Sequence, residues 1–146
     1  MFIEDVTRLN NVAARLAKCT NNAVRPRIPK CNEANIEQNC WGFTAQALGW
    51  VDEPVWLSQG TMERMLAGHT VKINKNKVMP GDIVVFRKHS GELLHTAIIL
   101  NKSCTSFIHK AGGHPITVCD ECGYVGAKTY VHPTGENDET QNSKVL

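Results

Sequence analysis

The chain has 146 residues, of which 42% are hydrophobic, and its formal net charge at neutral pH is +2. This length suits one ordinary domain with a buried core, and the composition is that of a soluble globular protein. The charge is too small to indicate nucleic acid or an anionic membrane as the main partner, and no apolar run approaches the length of a membrane span.

The first residues and the number of cysteines indicate the cellular compartment in which the protein folds. Glu4 and Asp5 stand where a secretory signal would carry basic residues and then a long apolar run. We therefore expect synthesis in the cytoplasm without a signal peptide, so that delivery outside the cell would need lysis or a signal-independent route. Six cysteines in a chain of this length are too sparse for a disulfide scaffold, so each needs its own explanation as core, metal ligand or chemistry.

The first half of the chain predicts helices. Apolar residues three and four positions apart indicate an amphipathic helix over residues 1–18: Phe2, Val6, Leu9, Ala13 and Leu16. The prolines in "CTNNAVRPRIPKC" exclude a continuous helix over the connector that follows.

Two further helices are predicted after the connector. One begins at Cys40, with Asn39 as its N-cap and Gly49 as the residue that ends it. A second is expected over Thr61–Ala67, ended by Gly68.

The second half changes to short β-branched segments separated by turn residues: "GDIVVF", "HTAIIL", "TSFIH", "PITVC" and "KTYVH". Helices followed by strands indicate an α+β domain, with N-terminal helices packed on an antiparallel β-sheet. We expect a single catalytic domain over residues 1–133 and a flexible C-terminal tail over 134–146. The lysine-rich stretch "VKINKNKVMPG" is interpreted as a solvated loop.

Cys40 is the candidate nucleophile, because a helix N-terminus and a nearby histidine both lower the pKa of a thiol. His95 opens a predicted strand, and His109 ends the next one fourteen residues later. If these strands form a hairpin around "NKSC", both imidazoles lie toward the same end of the sheet. One histidine could then act on the thiol while the other orients it.

Each of these candidate residues also has a purely structural interpretation. A buried cysteine is most often inert packing, and a histidine in a strand is usually a satisfied structural residue. The remaining histidines lie in predicted loops or near the tail, where nothing would hold them: His69, His89, His114 and His132. Trp50 and Trp56, near the cysteine helix, are more often core or cleft wall than a sugar-stacking platform.

Four motifs in order resemble the NlpC-type cell-wall peptidases. "NCWGFTAQALG" is similar to their cysteine-helix motif and "MPGDIVVF" to their Pro-Gly-Asp strand, while "HTAIIL" and "FIHKAGG" resemble their two histidine segments. The related CHAP amidases share the first two motifs, but their third residue is generally not a histidine, so His109 favours the NlpC side.

The resemblance implies a papain-like fold with a Cys-His-His triad. Cys40 would be the nucleophile, His95 the general base and His109 the residue that orients His95, and the backbone N–H of Cys40 would donate to the oxyanion. The implied reaction is hydrolysis of an amide through a thioester acyl-enzyme, on a peptide or peptidoglycan stem peptide. The small size and the missing signal favour an enzyme of phage or effector type. The sequence identifies no protein inhibitor.

This chain departs from the family pattern beside the nucleophile. Asn39 replaces the usual aspartate, and Trp41 replaces a small residue, which should reshape the cleft. The tyrosine and paired glycines that members often carry upstream of the cysteine are missing, so a side-chain donor to the oxyanion is unassigned. His95 follows Leu94, where a glycine is common.

Other functions fit parts of the sequence. The same Cys-His site could serve an acyltransferase or a deamidase acting on a protein or lipid. Cys119 and Cys122 form a Cys-x-x-Cys pair that could hold a structural zinc, either with the nearby His109 and His114 or with Cys19 and Cys31. The protein would then be a zinc-stapled binding module without enzymatic activity. The expectation is nevertheless no cofactor, with local packing as the default for this pair.

Overall fold

A computed structural model describes residues 37–114, 116–119, 124 and 126–134 of the chain. Two helices come first, α1 (Cys40–Ala47) and α2 (Gln59–His69). The strands follow as β1 (Thr70–Ile73), β2 (Ile83–Arg87), β3 (Leu93–Ile99), β4 (Phe107–Lys110), β5 (Ile116–Cys119) and β6 (Ala127–Pro133), with a 3-10 turn at Lys75–Lys77 after β1. None of the helices in these ranges is long and apolar enough to cross a membrane.

The strands form one sheet in the order β1-β6-β2-β3-β4-β5, and every neighbouring pair is antiparallel. The predicted α+β class with an antiparallel sheet is therefore confirmed. The predicted helix over 1–18, the connector after it and the tail from residue 135 lie outside the described residues. The single-domain prediction for 1–133 stays a prediction.

Several element boundaries differ from the sequence predictions. The second helix is longer than Thr61–Ala67, because Ser58 caps it by accepting a hydrogen bond from the Thr61 N–H at 3.2 Å. Gly68 lies inside the helix and does not end it. The loop interpretation of "VKINKNKVMPG" was also wrong in part, since its first residues pair with β6 as the edge strand β1.

The buried residues form three hydrophobic clusters around the sheet. Seven of the eight residues of α1 are buried, which is the pattern of a helix enclosed by its neighbours. Phe43 on α1 is 0% exposed and packs against Ile98 of β3 and Ile108 of β4. Burying a side chain of this size stabilises the fold by about 2–3 kcal/mol. The packing therefore holds the first turn of α1 beside these two strands.

Of the other two clusters, one contains residues of α2 and the other contains alternate residues of β3. Met62 of α2 packs in a cluster with Ile83 and Val85 of β2. The residues of β3 that alternate with Ile98 belong to a different cluster, which contains Ala97 and Ile99. Alternation along a strand places successive side chains on opposite faces, so β3 contributes to two separate layers.

Candidate active site

Asn39 fixes the N-terminus of α1 and ties it to a neighbouring loop. Its backbone is extended, and its Oδ1 accepts from the Gly42 N–H at 2.9 Å, so the predicted N-cap is present. The same oxygen accepts from the Leu57 N–H at 3.1 Å, and Nδ2 donates to the Leu57 carbonyl at 2.9 Å. An aspartate could not make the last bond, because an ionised carboxylate has no donor. The departure from the family aspartate thus has a structural reason in this chain.

The same loop presses against the first turn of α1. A Cβ placed on Gly42 would lie 1.7 Å from the Val55 carbonyl oxygen, so only glycine allows this approach. Trp56 stands between the two anchored residues, Val55 and Leu57, and is 58% exposed. It is therefore an exposed indole on a segment fixed beside the candidate nucleophile. Trp50, by contrast, is partly buried and stacks on His69 with ring centroids 5.3 Å apart.

The other end of α1 agrees with the sequence prediction. Gly49 adopts a positive φ of 85°, and its N–H donates to the Gln46 carbonyl at 3.1 Å. A left-handed glycine after the last turn is the common way to end a helix, because it avoids the steric cost that a Cβ would bring.

The hairpin of β3 and β4 brings two imidazoles together. The register pairs Ile99 with Phe107 and Ile98 with Ile108. His95 Nε2 and His109 Nδ1 are 2.8 Å apart, a hydrogen bond between side chains that are 0% and 7% exposed. His95 is the third residue of β3 and does not begin it, while His109 is followed by one more residue of β4.

Aromatic rings enclose His95. Tyr124 stacks on its imidazole with centroids 3.9 Å apart and an angle of 13°, and Phe86 meets it edge-on at 5.8 Å. Burial, with a contribution from His109, lowers the pKa of His95 to about 3, and burial also lowers the pKa of His109. Both rings are therefore neutral at neutral pH. His95 Nδ1 is buried and has no hydrogen-bond partner within the described ranges.

Cys40 is the first residue of α1 and is 8% exposed. Its sulfur lies within hydrogen-bond reach of the backbone N–H of Thr96, the residue after His95, and of the N–H groups of Trp41 and Cys40 itself. The Thr44 and Thr96 hydroxyls, 2.8 Å apart, also join α1 to β3. The sulfur is thereby placed beside the backbone of the strand that carries His95.

The pKa of the Cys40 thiol differs from the sequence expectation. The N–H groups at the helix N-terminus do lower this pKa, as expected. Burial has the larger effect, however, and raises the pKa of Cys40 to about 11. The free protein therefore favours a neutral thiol and a neutral imidazole, because burial disfavours both charged forms.

The sequence predictions missed a second polar pair. Asp82 is fully buried, and its Oδ2 accepts from the Met79 N–H at 2.8 Å. Its Oδ1 is 2.9 Å from His132 Nδ1. The expectation that nothing would hold His69 and His132 was therefore wrong. The Pro-Gly-Asp turn was a usable signal, because a buried aspartate at a strand start needs partners.

A metal site finds no support in the part of the chain that the structure describes, where no group of three or more cysteine, histidine or acidic side chains could hold an ion. Cys19, Cys31 and Cys122, together with the side chain of Cys119, lie outside that part, so the zinc hypothesis stays a prediction. Cys104 is a partly buried free thiol in the turn between β3 and β4.

Comparison of the sequence with known families identifies the family of this chain. The sequence model of the NlpC/P60 family matches residues 31–138, which is most of the chain. The chain belongs to the NlpC/P60 family. This family has a papain-like fold, and its members are generally cysteine peptidases or amidases that act on peptides of the cell wall. A search of curated proteins found no significant match.

Proposed function

We propose that this NlpC/P60 protein is a cysteine hydrolase that cleaves an amide bond in a peptidoglycan stem peptide, of the type used by phages or delivered as an effector. Cys40 is the nucleophile, His95 the general base and His109 the residue that orients His95. The observation that carries the proposal is the 2.8 Å hydrogen bond between His95 Nε2 and His109 Nδ1, on a strand whose next residue, Thr96, bonds the Cys40 thiol through its backbone N–H.

The hydrogen bond between the two histidines is compatible with the tautomer that the reaction needs. When the His95 Nε2–H donates to His109 Nδ1, the other ring nitrogen of His95 keeps its lone pair. That nitrogen, Nδ1, is one of three buried side-chain nitrogens without a hydrogen-bond partner in the described ranges. His95 is then ready to accept a proton, and the stacked ring of Tyr124 holds the imidazole in this orientation.

The proposed cycle begins from the neutral pair. The Cys40 sulfur attacks the substrate carbonyl carbon while its proton passes to His95 Nδ1, and the backbone N–H of Cys40 donates to the developing oxyanion. The C–N bond then breaks, the leaving amine takes the proton from His95, and a thioester remains. A water molecule gives a proton to His95 and attacks the thioester, and cleavage of the C–S bond restores the thiol and releases the acid.

The neutral ground state explains why proton transfer must accompany attack. Because burial raises the pKa of Cys40 and lowers that of His95, a preformed thiolate–imidazolium pair is disfavoured before substrate binds. The base must therefore lie close to the sulfur, as in serine hydrolases. His95 is assigned this role because it adjoins Thr96, whose backbone N–H bonds the Cys40 thiol.

The test measures hydrolysis of purified peptidoglycan fragments by mass spectrometry of the products. We expect Cys40→Ala and His95→Ala to lower kcat by about a thousandfold or more, and His109→Ala to lower it less. Cys104→Ala removes the other described free thiol and should keep full activity. Retained hydrolysis in Cys40→Ala would overturn the mechanism.

Product analysis also separates the alternative functions. A transferred acyl group or released ammonia would point to an acyltransferase or a deamidase at the same site. Stoichiometric zinc together with an unreactive Cys40 would favour the binding module. Absence of any cleaved stem peptide with the wild-type protein would overturn the substrate assignment but not the assignment of Cys40 as the nucleophile.

A further inference from the structure

Trp56 is a large apolar side chain that the fold leaves in contact with water close to the candidate nucleophile. In the described ranges, large hydrophobic side chains are exposed at two positions, Trp56 at 58% and Val71 at 50%. Val71 lies on the edge strand β1, whereas Trp56 lies on the loop that contacts the first turn of α1. The exposure of Trp56 excludes the core role that the sequence left open for it, and leaves an indole surface available to a ligand.

The backbone on both sides of Trp56 is held in place. The N–H and the carbonyl of Leu57 are bonded to the Asn39 side chain at 3.1 and 2.9 Å. On the other side, the Val55 carbonyl approaches Gly42 so closely that no Cβ would fit between them. The side chain of Leu57 is also buried. The indole is therefore exposed on a fixed segment, and its exposure does not result from a loose loop.

The same two anchors locate Trp56 relative to the nucleophile. Asn39 comes immediately before Cys40 in the chain, and Gly42 comes two residues after it. Trp56 is one residue away from each of the loop residues that contact these two positions. Because consecutive Cα atoms are only about 3.8 Å apart, the indole stands at the border of the site where Cys40 would meet its substrate.

A second tryptophan connects this border to the nucleophile. Trp41 follows Cys40 directly, is partly exposed, and packs against the hydrophobic cluster that contains Leu57. An apolar surface therefore extends from the residue after Cys40 to the loop that carries Trp56. Binding sites for small ligands are lined mainly by apolar and aromatic side chains of this kind.

A fixed tryptophan is well suited to bind a substrate. Its indole gives a large contact surface, and it has only two side-chain torsions to immobilise, so binding costs little conformational entropy. Its flat face also removes much apolar area from water when another flat apolar face covers it. Such a face is present on the C–H side of a sugar ring and on the aliphatic parts of a peptide.

We propose that Trp56 is a specificity-determining residue of the hydrolase, whose indole packs against an apolar face of the substrate next to the scissile amide. This inference rests on the proposed function and names a contact that the substrate makes. The apolar face belongs either to a sugar ring attached to the stem peptide or to the peptide itself, and the same contact chemistry serves both.

The experiment measures binding by isothermal titration calorimetry in Cys40→Ala protein, which cannot cleave its ligand. The two probes are a free stem peptide and the same stem peptide attached to its disaccharide. Adding Trp56→Ala should weaken binding about tenfold, because the stacked contact is lost, and Trp56→Phe should keep most of the affinity. The matched control, Val71→Ala, removes the other exposed large side chain and should leave the affinity unchanged.

Kinetics and thermal melting separate this role from a structural one. In the active protein, Trp56→Ala should raise KM about tenfold and change kcat less than about twofold, because the contact is made equally in the bound substrate and in the transition state. Its Tm should stay at the wild-type value, since the side chain is largely exposed. A lower Tm together with no recovery of affinity in Trp56→Phe would make the indole a structural residue and overturn the proposal.

The outcomes also distinguish this inference from the proposed function. Unchanged affinity for both probes in Trp56→Ala, or no binding of either probe to the parent protein, would overturn the role of Trp56. A tenfold loss with both probes would assign the contact to the peptide, and a loss confined to the disaccharide-linked probe would assign it to the sugar. Either loss, combined with no hydrolysis by the wild type, would support the Trp56 contact and overturn the hydrolase function.

Discussion

Replacement of Asn39 should destabilise the protein strongly, because one side chain makes three hydrogen bonds to backbone groups. It caps α1 through the Gly42 N–H and pairs with both the N–H and the carbonyl of Leu57, and the residue is 5% exposed. An N-cap is worth about 1 kcal/mol. Each further bond between buried groups contributes about 1 kcal/mol, and more when its partner is left unsatisfied. We expect Asn39→Ala to cost about 3 kcal/mol.

A serine variant separates the two contributions. Asn39→Ser keeps a hydroxyl that can accept from the Gly42 N–H, but its side chain is too short to bridge to Leu57. We therefore expect Asn39→Ser to cost about 2 kcal/mol, with the difference from Asn39→Ala reporting the cap alone.

The assay is urea unfolding followed by circular dichroism, with thermal melting as a second measure. A cost of about 3 kcal/mol corresponds to a fall in Tm of roughly 6–12 °C for a chain of this size. A loss below about 0.5 kcal/mol for Asn39→Ala would show that the bridge between α1 and the loop is not a stabilising feature. Equal costs for alanine and serine would refute the cap as a separate contribution.

Three further predictions concern the site and its surroundings. Gly42→Ala should abolish hydrolysis and lower the unfolding free energy by about 3 kcal/mol or more, because its Cβ would overlap the Val55 carbonyl; a normal urea midpoint would contradict the close approach. Acid should destabilise the protein through His95: its folded pKa of about 3 lies below the ordinary 6.5, so the unfolded chain binds the extra proton and stability falls as pH drops from about 6.5 toward 3. Urea titrations at several pH values should show a slope steeper by up to about 1.4 kcal/mol per pH unit than in His95→Asn, and equal slopes would argue against a buried neutral imidazole. Glu63→Gln removes a two-bond ion pair to Arg87 between partly exposed side chains and should cost less than about 1 kcal/mol; a larger loss in urea would mean that the pair is better shielded than its exposure indicates.

Local patterns were sufficient for much of the fold. The strands β2 and β3 follow from β-branched runs bounded by turn residues, and Asn39 and Gly49 mark the ends of α1 through backbone preferences that act within a few residues. The prediction failed at α2, where Gly68 lies within the helix. Helix propensity is a weak preference, and packing of Met62 and Leu66 in the core offsets the cost of one glycine.

The candidate site was also predictable from the sequence only in part. The sequence by itself determined the residue types of the candidate triad and the hairpin that joins His95 to His109, because a short turn between two strands leaves few registers. Only the tertiary structure decided the protonation of Cys40 and the location of Trp56 beside the first turn of α1. Both depend on which groups lose contact with water and which groups come within a few ångströms, and these are distances between residues far apart in the chain.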